Sequence, residues 1–185
     1  MQNLWHDLPA GPDAPHVINI IVEIPGTTRN KYEFDHEGGY IRLDRVLASP
    51  LHYPGDYGLI PQTLYDDGDP LDVLVLIKEA TFPGCVLVAR AIGLFRMRDQ
   101  ELSDDKVLAV ADHDPLYADY RDLSDVPNHY LREVAHFFSH YKDLEGKRVE
   151  PLGWEPRSVA LERISHAQVL YHEHYGHRKP ERQKS

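Results

Sequence analysis

Hydrophobic and polar positions change period once along this chain, from a strand-like pattern to a helical one. Val17 to Ile24 (VINIIVEI) is a β-branched run stopped by Pro25-Gly26, which predicts a strand. Residues 31–35 and 40–44 flank Glu37-Gly38-Gly39, the pattern of a hairpin. Residues 46–66, rich in Pro, Gly and Tyr, read as a long loop. Residues 72–77 carry an unbroken apolar run, which predicts a strand covered on both faces. Pro83-Gly84 marks a turn, residues 85–97 form a long strand with a bend expected at Gly93, and residues 106–111 form another. Helical spacing comes late. Asp125 and Pro127 signal a start, Leu131, Val134, Ala135 and Phe138 follow the i, i+3, i+4, i+7 rule, and Gly146 ends the segment. After Pro156, Ala160, Ile164, Ala167 and Tyr171 repeat the helical period.

Strands followed by two helices predict a mainly β (α+β) fold, a twisted sheet or small barrel with helices against it. The order is not βαβ, which argues against a doubly wound sheet. Residues 1–185 read as one domain, with 1–15 as an N-terminal arm and 172–185 as a flexible, polar tail.

Net charge is −10, from 20 basic and 30 acidic residues, so nothing overall attracts nucleic acid or an anionic membrane. The apolar runs are too short to span a bilayer, and the first residues lack the basic and apolar regions of a secretory signal. Cys85 is the single cysteine, which excludes an intramolecular disulfide and points to a reducing, cytoplasmic setting.

Two acidic clusters change the picture. Asp66-Asp67-Gly68-Asp69-Pro70-Leu71-Asp72 feeds directly into an apolar strand, and Asp99, Asp104 and Asp105 lie between two others. Aspartate and glycine are ordinary turn residues, so either cluster alone reads as a solvated turn. If strands 72–77 and 85–97 are antiparallel neighbours, however, the start of the first lies beside the end of the second. The start of strand 106–111 then shares that edge, and Asp67, Asp69, Asp72, Asp99 and Asp104 meet on one rim. Like charges about 4 Å apart repel by roughly 4 kcal/mol at an effective dielectric near 20. Such a cluster needs cations or shifted pKa values, and oxygen-only ligands favour Mg²⁺ or Mn²⁺ over Zn²⁺.

An EF-hand is excluded by spacing, because position 12 would be Lys78 or Ile77 and not Glu. No P-loop, GxGxxG, HExxH or GxSxG motif is present. Lys31 and Glu33 share one strand face, Arg45 ends the next strand, Lys106 begins the strand after the second cluster, and Tyr141-Lys142 ends the first long helix. Each taken singly is more often structural. Together they supply the fixed cations that phosphate chemistry requires.

These residues resemble the soluble, family I inorganic pyrophosphatases, over about residues 17–150. Asp67-Gly68-Asp69-Pro70-Leu71-Asp72 is similar to the family's D-x-D-P-x-D signature. Around it, in the family's order, stand EIP at Glu23, KYE at Lys31, DR at Asp44-Arg45, YP..YG at Tyr53, Asp99, Asp104 with Lys106, and HFFSHYKDLE from His136. The resemblance implies a five-stranded OB-type barrel with two flanking C-terminal helices, a prokaryotic homo-hexamer, and Mg²⁺-dependent hydrolysis of pyrophosphate to two phosphates, Mn²⁺ serving as a substitute. It implies that Asp67, Asp72, Asp99 and Asp104 hold metals, with Glu23 and Glu33 on the side of a metal arriving with substrate. Asp69 would be the general base toward a metal-bridging water that attacks in line, and Tyr57 would sit beside that nucleophile. Lys31, Arg45, Lys106, Tyr141 and Lys142 would grip phosphate oxygens. Two departures stand out: Gln100 where many relatives have Glu, and Asp56 in place of an Asn, which adds negative charge near Tyr57.

His136 and His140 are spaced i, i+4, yet no further ligand completes a zinc site, and the resemblance puts them at a subunit contact. Cys85 reads as core. An oligonucleotide-binding barrel is disfavoured by the net charge and the lack of basic stripes with interleaved aromatics, and a calcium-binding barrel would have no use for Lys31, Arg45 and Lys142 near the acids. A nucleotide phosphohydrolase would need a base-stacking or ribose pocket.

Overall fold

A computed structural model describes residues 3–100 and 102–177. Among these residues the strands are β1 (Val17–Ile24), β2 (Asn30–Asp35), β3 (Tyr40–Val46), β4 (Asp56–Leu59), β5 (Asp72–Leu76), β6 (Val86–Asp99), β7 (Leu102–Ser103), β8 (Lys106–Ala111) and β9 (Val149–Pro156). Three α-helices accompany them: α1 (Leu4–Asp7), α2 (Asn128–His140) and α3 (Arg157–Tyr175). Strands pair in the order β1-β4-β5-β8-β6, and β6 pairs back onto β1, so five strands close into a ring. This is the expected five-stranded OB-type barrel. β7 and β9 extend it along β6, while β2 and β3 form a separate hairpin.

Period-two alternation explains the apolar runs. Val73 and Val75 of β5 and Val107 and Ala109 of β8 join one buried cluster with Ala160, Ile164 and Ala167 of α3. Leu74, Leu76, Leu108 and Val110, on the opposite faces, join another with Leu131, Val134, Phe137 and Phe138 of α2. Each strand is covered twice, so it reads as continuous hydrophobe. The expected bend at Gly93 is a register shift between Ala91 and Gly93, and a Cβ on Gly93 would lie 2.8 Å from Leu123 Cδ1.

Several expectations need correction. Strands β5 and β6 are not neighbours; β8 lies between them, parallel to β5 and antiparallel to β6. The predicted rim survives, because Asp72 pairs with Lys106 and Lys106 with Phe95. The presumed loop 46–66 contains β4, whose four residues are all buried. Between α2 and α3 runs β9, which Pro151, Gly153 and Pro156 conceal from any alternation rule. Within the arm, α1 carries Trp5, 3% exposed, whose Nε1 donates to Thr63 O at 2.9 Å. Helix α3 continues through His172 to Tyr175; residues 178–185 of the expected tail lie outside the described residues.

Candidate active site

The start of β5, the end of β6, the start of β8 and the hairpin β2–β3 surround one open cavity of about 780 Å³. Glu23, Lys31, Glu33, Tyr57, Asp67, Asp69, Asp72, Asp99, Asp104, Lys106, Tyr141 and Lys142 all line it. Of the predicted set, only Arg45 is missing from the lining. Its guanidinium is held by Glu145, at 3.0 and 2.7 Å, and by Asp44. It stands beside the cavity all the same, paired in register with Lys31.

Local structure aims these groups. In the acidic loop, Gly68 takes φ +91°, a left-handed conformation that glycine adopts without steric cost, so the chain reverses between Asp67 and Asp69. The Asp69 N–H donates to Asp67 Oδ1 at 3.1 Å. Tyr57, on β4, donates its hydroxyl to Asp72 Oδ2 at 2.5 Å across the β4–β5 pair. Tyr53 packs on Tyr57 and Phe137, with ring centroids 5.5 and 4.7 Å apart.

Charges interleave throughout. Lys106, 3% exposed, donates to Asp72 at 2.5 Å and also to Asp104. Lys142 pairs with Asp99, and Lys31 with Glu33 and, at 3.5 Å, with Asp44. The two carboxylates hold Lys106 well above the usual lysine range against the opposing effect of burial, so it stays charged. Glu23 is buried and accepts the Phe34 N–H at 2.7 Å; desolvation, reinforced by Asp72, pushes its carboxyl up to about 8. Asp67 is pushed up to about 6, foremost by desolvation and then by Asp72, Asp69 and Asp104, which outweigh the Asp69 N–H. Asp69 is raised for the same reasons, partly offset by His36, whose Nδ1 lies 3.6 Å from Asp69 Oδ1.

The donor set suits a hard cation. It is all oxygen, it includes carboxyls that burial and like charges raise, and Asp99 Oδ1 is buried without a hydrogen-bond partner. Among the described residues, no three acidic, histidine or cysteine side chains already close around an ion. Lysine ammonium groups stand between the carboxylates instead. His136 and His140 lie side by side on the exposed face of α2, their rings tilted with centroids 4.3 Å apart, outside the cavity.

Sequence reasoning missed His36 and Arg42, which also line the cavity. Arg42 lies 3.4 Å from Glu33 and is its cross-strand partner in the hairpin, so the hairpin register could have found it. His36 had no local signal, because it meets Asp69 only through tertiary folding. The charge expected of Asp56 near Tyr57 is corrected. Asp56 is fully buried and accepts from Gly26 N–H (2.7 Å) and from the Thr81 N–H (2.9 Å) and hydroxyl (2.6 Å). Adjacent strand residues face opposite ways, so its charge is spent on clasping loops behind β4.

The family model for inorganic pyrophosphatase matches residues 20–172. An inorganic pyrophosphatase of Haloferax volcanii is 52% identical over 176 residues, 95% of this chain and 99% of that protein. A soluble inorganic pyrophosphatase of rice is 49% identical over 90% of this chain and 78% of its own length. The crystal structure of the Thermus thermophilus inorganic pyrophosphatase superposes with a TM-score of 0.88 at 44% identity, covering 91% of this chain and 98% of that one. With a family match over most of its length, close relatives covered nearly end to end and the same overall fold, this chain belongs to the soluble, family I inorganic pyrophosphatases.

Proposed function

We propose that the protein uses this cavity to hydrolyse inorganic pyrophosphate to two orthophosphates with Mg²⁺, for which Mn²⁺ can substitute. Cleavage of pyrophosphate follows from family membership; the metal and the residue roles are the proposal. The observation that carries it is the alternation of carboxylates and ammonium groups around one cavity. Asp67, Asp72, Asp99 and Asp104 would hold the ions, with Glu23 and Glu33 on the substrate-bound metal's side. Bound divalent ions would lower the pKa of a shared water and offset the charge of the substrate.

The remaining work belongs to the side chains. Lys106 and Lys142, which here pair with Asp72, Asp104 and Asp99, would bind phosphate oxygens, as would Lys31 and Tyr141. Arg45 joins them on exchanging Glu145 for phosphate, a group its planar fork fits well. Asp69 has no hydrogen-bond donor on its carboxylate among the described residues, and desolvation with the nearby acids raises it above the usual carboxylate range, which suits it to take the proton of the attacking water. Tyr57 remains a neutral donor, since burial and Asp72 hold its phenol well above the usual range. The single cysteine favours a cytoplasmic setting. Among the described residues no helix is long and apolar enough to cross a membrane. A homo-hexamer accords with the exposed apolar side chains Leu43, Val46, Phe82, Leu144 and Val169.

Phosphate release from pyrophosphate should require Mg²⁺ and stop with chelator. Asp69→Asn and Lys31→Ala should each lower kcat by about 10²-fold or more while the circular dichroism spectrum is unchanged. Comparable turnover of ATP with Mg²⁺, or undiminished rates in both variants, would contradict the assignment.

A further inference from the structure

Asp105 is a carboxylate the chemistry does not use. It lies between Asp104 and Lys106, yet it is 3% exposed and absent from the cavity lining. A buried charge persists only where partners compensate it. The Tyr65 hydroxyl donates to Asp105 Oδ2 at 2.8 Å, and Arg163 Nε of α3 lies 3.4 Å from the same oxygen, with its guanidinium 5.9 Å from the Tyr65 ring centre.

Tyr65 is also the hub of the acidic loop. Its N–H donates to Asp69 O at 2.7 Å, and its carbonyl accepts the Gly68 N–H at 3.0 Å. The turn bearing Asp67 and Asp69 is thus wound on the Tyr65 backbone, while the Tyr65 side chain is bolted to the residue after Asp104. The two acidic clusters are 32 positions apart between Asp72 and Asp104. Besides the β5–β8 ladder, which begins at Asp72 and Lys106, this hydroxyl contact ties the loop ahead of β5 to the start of β8.

We propose that Tyr65 and Asp105, backed by Arg163, form a positioning clamp that sets the spacing between the Asp67–Asp69 turn and Asp104. The clamp touches no substrate. It acts by holding apart or together the carboxylates that must share divalent ions, and it rests on the function proposed above.

Tyr65→Phe removes one oxygen and leaves the ring and both backbone hydrogen bonds. A hydrogen bond to a charged group contributes about 1.5–3 kcal/mol, so loss of positioning should appear as roughly tenfold or more. We expect Mg²⁺, titrated into the substrate-free full-length protein by calorimetry, to bind Tyr65→Phe about tenfold more weakly. At saturating Mg²⁺, kcat should fall while KM for pyrophosphate stays within about twofold. Asp105→Asn keeps an acceptor for the hydroxyl and should retain most of the Mg²⁺ affinity; Asp105→Ala should not. The double variant Tyr65→Phe/Asp105→Ala should cost no more affinity than Asp105→Ala alone. A Tyr65→Phe protein that melts lower but binds Mg²⁺ and turns over like the wild type overturns the clamp and makes the contact purely structural. Wild-type protein that neither binds Mg²⁺ nor cleaves pyrophosphate would instead overturn the functional reading.

Discussion

Glu23 sits on β1, buried, with the Phe34 N–H as its hydrogen-bond donor and Asp72 as an unfavourable neighbour. Without bound metal its carboxyl titrates near 8 in the folded protein, against about 4.5 for a free side chain. The folded state therefore keeps a proton that the unfolded chain releases above about 4.5. The stabilisation is complete below that pH and is lost as pH rises through about 8. Chelator-treated protein should accordingly melt lower at pH 8 than at pH 5, with a smaller difference in Glu23→Gln; equal slopes for the two proteins would contradict this. Cation binding runs the opposite way, since the ligands must give up protons, so Mg²⁺ should rescue most at high pH. The identities of these groups were legible in the sequence through the ordered motifs that resemble the family. Partners across the fold were not: Asp56 turned out to be a loop clasp and His36 a neighbour of Asp69.

Short elements depend on what they pack against. An isolated four-residue helix does not hold in water, so α1 exists because Trp5 is buried. Its indole donates to Thr63 O, just before the acidic loop, and packs edge-on to Tyr171 and Tyr175 of α3. Asn3 Nδ2 donates to His36 O on the hairpin turn at 2.7 Å. The arm thus joins the two segments that carry Lys31 and Asp69. Trp5→Ala should destabilise the protein by about 3–5 kcal/mol in urea unfolding, the range for an aromatic core truncation. A loss under about 1 kcal/mol would mean that the arm is not packed in solution. Strands β4 and β9 escaped sequence reading for a related reason. β4 has only four residues, one of them Gly58, and β9 is interrupted by prolines, so neither shows a period. They are strands because neighbouring strands supply their hydrogen bonds.

At the scale of the molecule, the ring of five strands leaves β2–β3 as a separate hairpin whose outer strand exposes Tyr40, Leu43 and Val46. Sedimentation velocity should show a species of six times the chain mass; a single-chain species at micromolar concentration would refute the proposed assembly. By itself the sequence determined the strand-then-helix order and the double covering of β5, which follow from periods of 2 and 3.6 written into adjacent residues, while its ordered motifs named the residue types around the cavity through their resemblance to a family. Only the tertiary structure decided that β8 lies between β5 and β6, that Lys106 bridges Asp72 and Asp104, and that Asp105 turns inward to Tyr65. Pairing between distant segments is set by which arrangement buries both faces of the sheet at once, and no local stretch of chain carries that information.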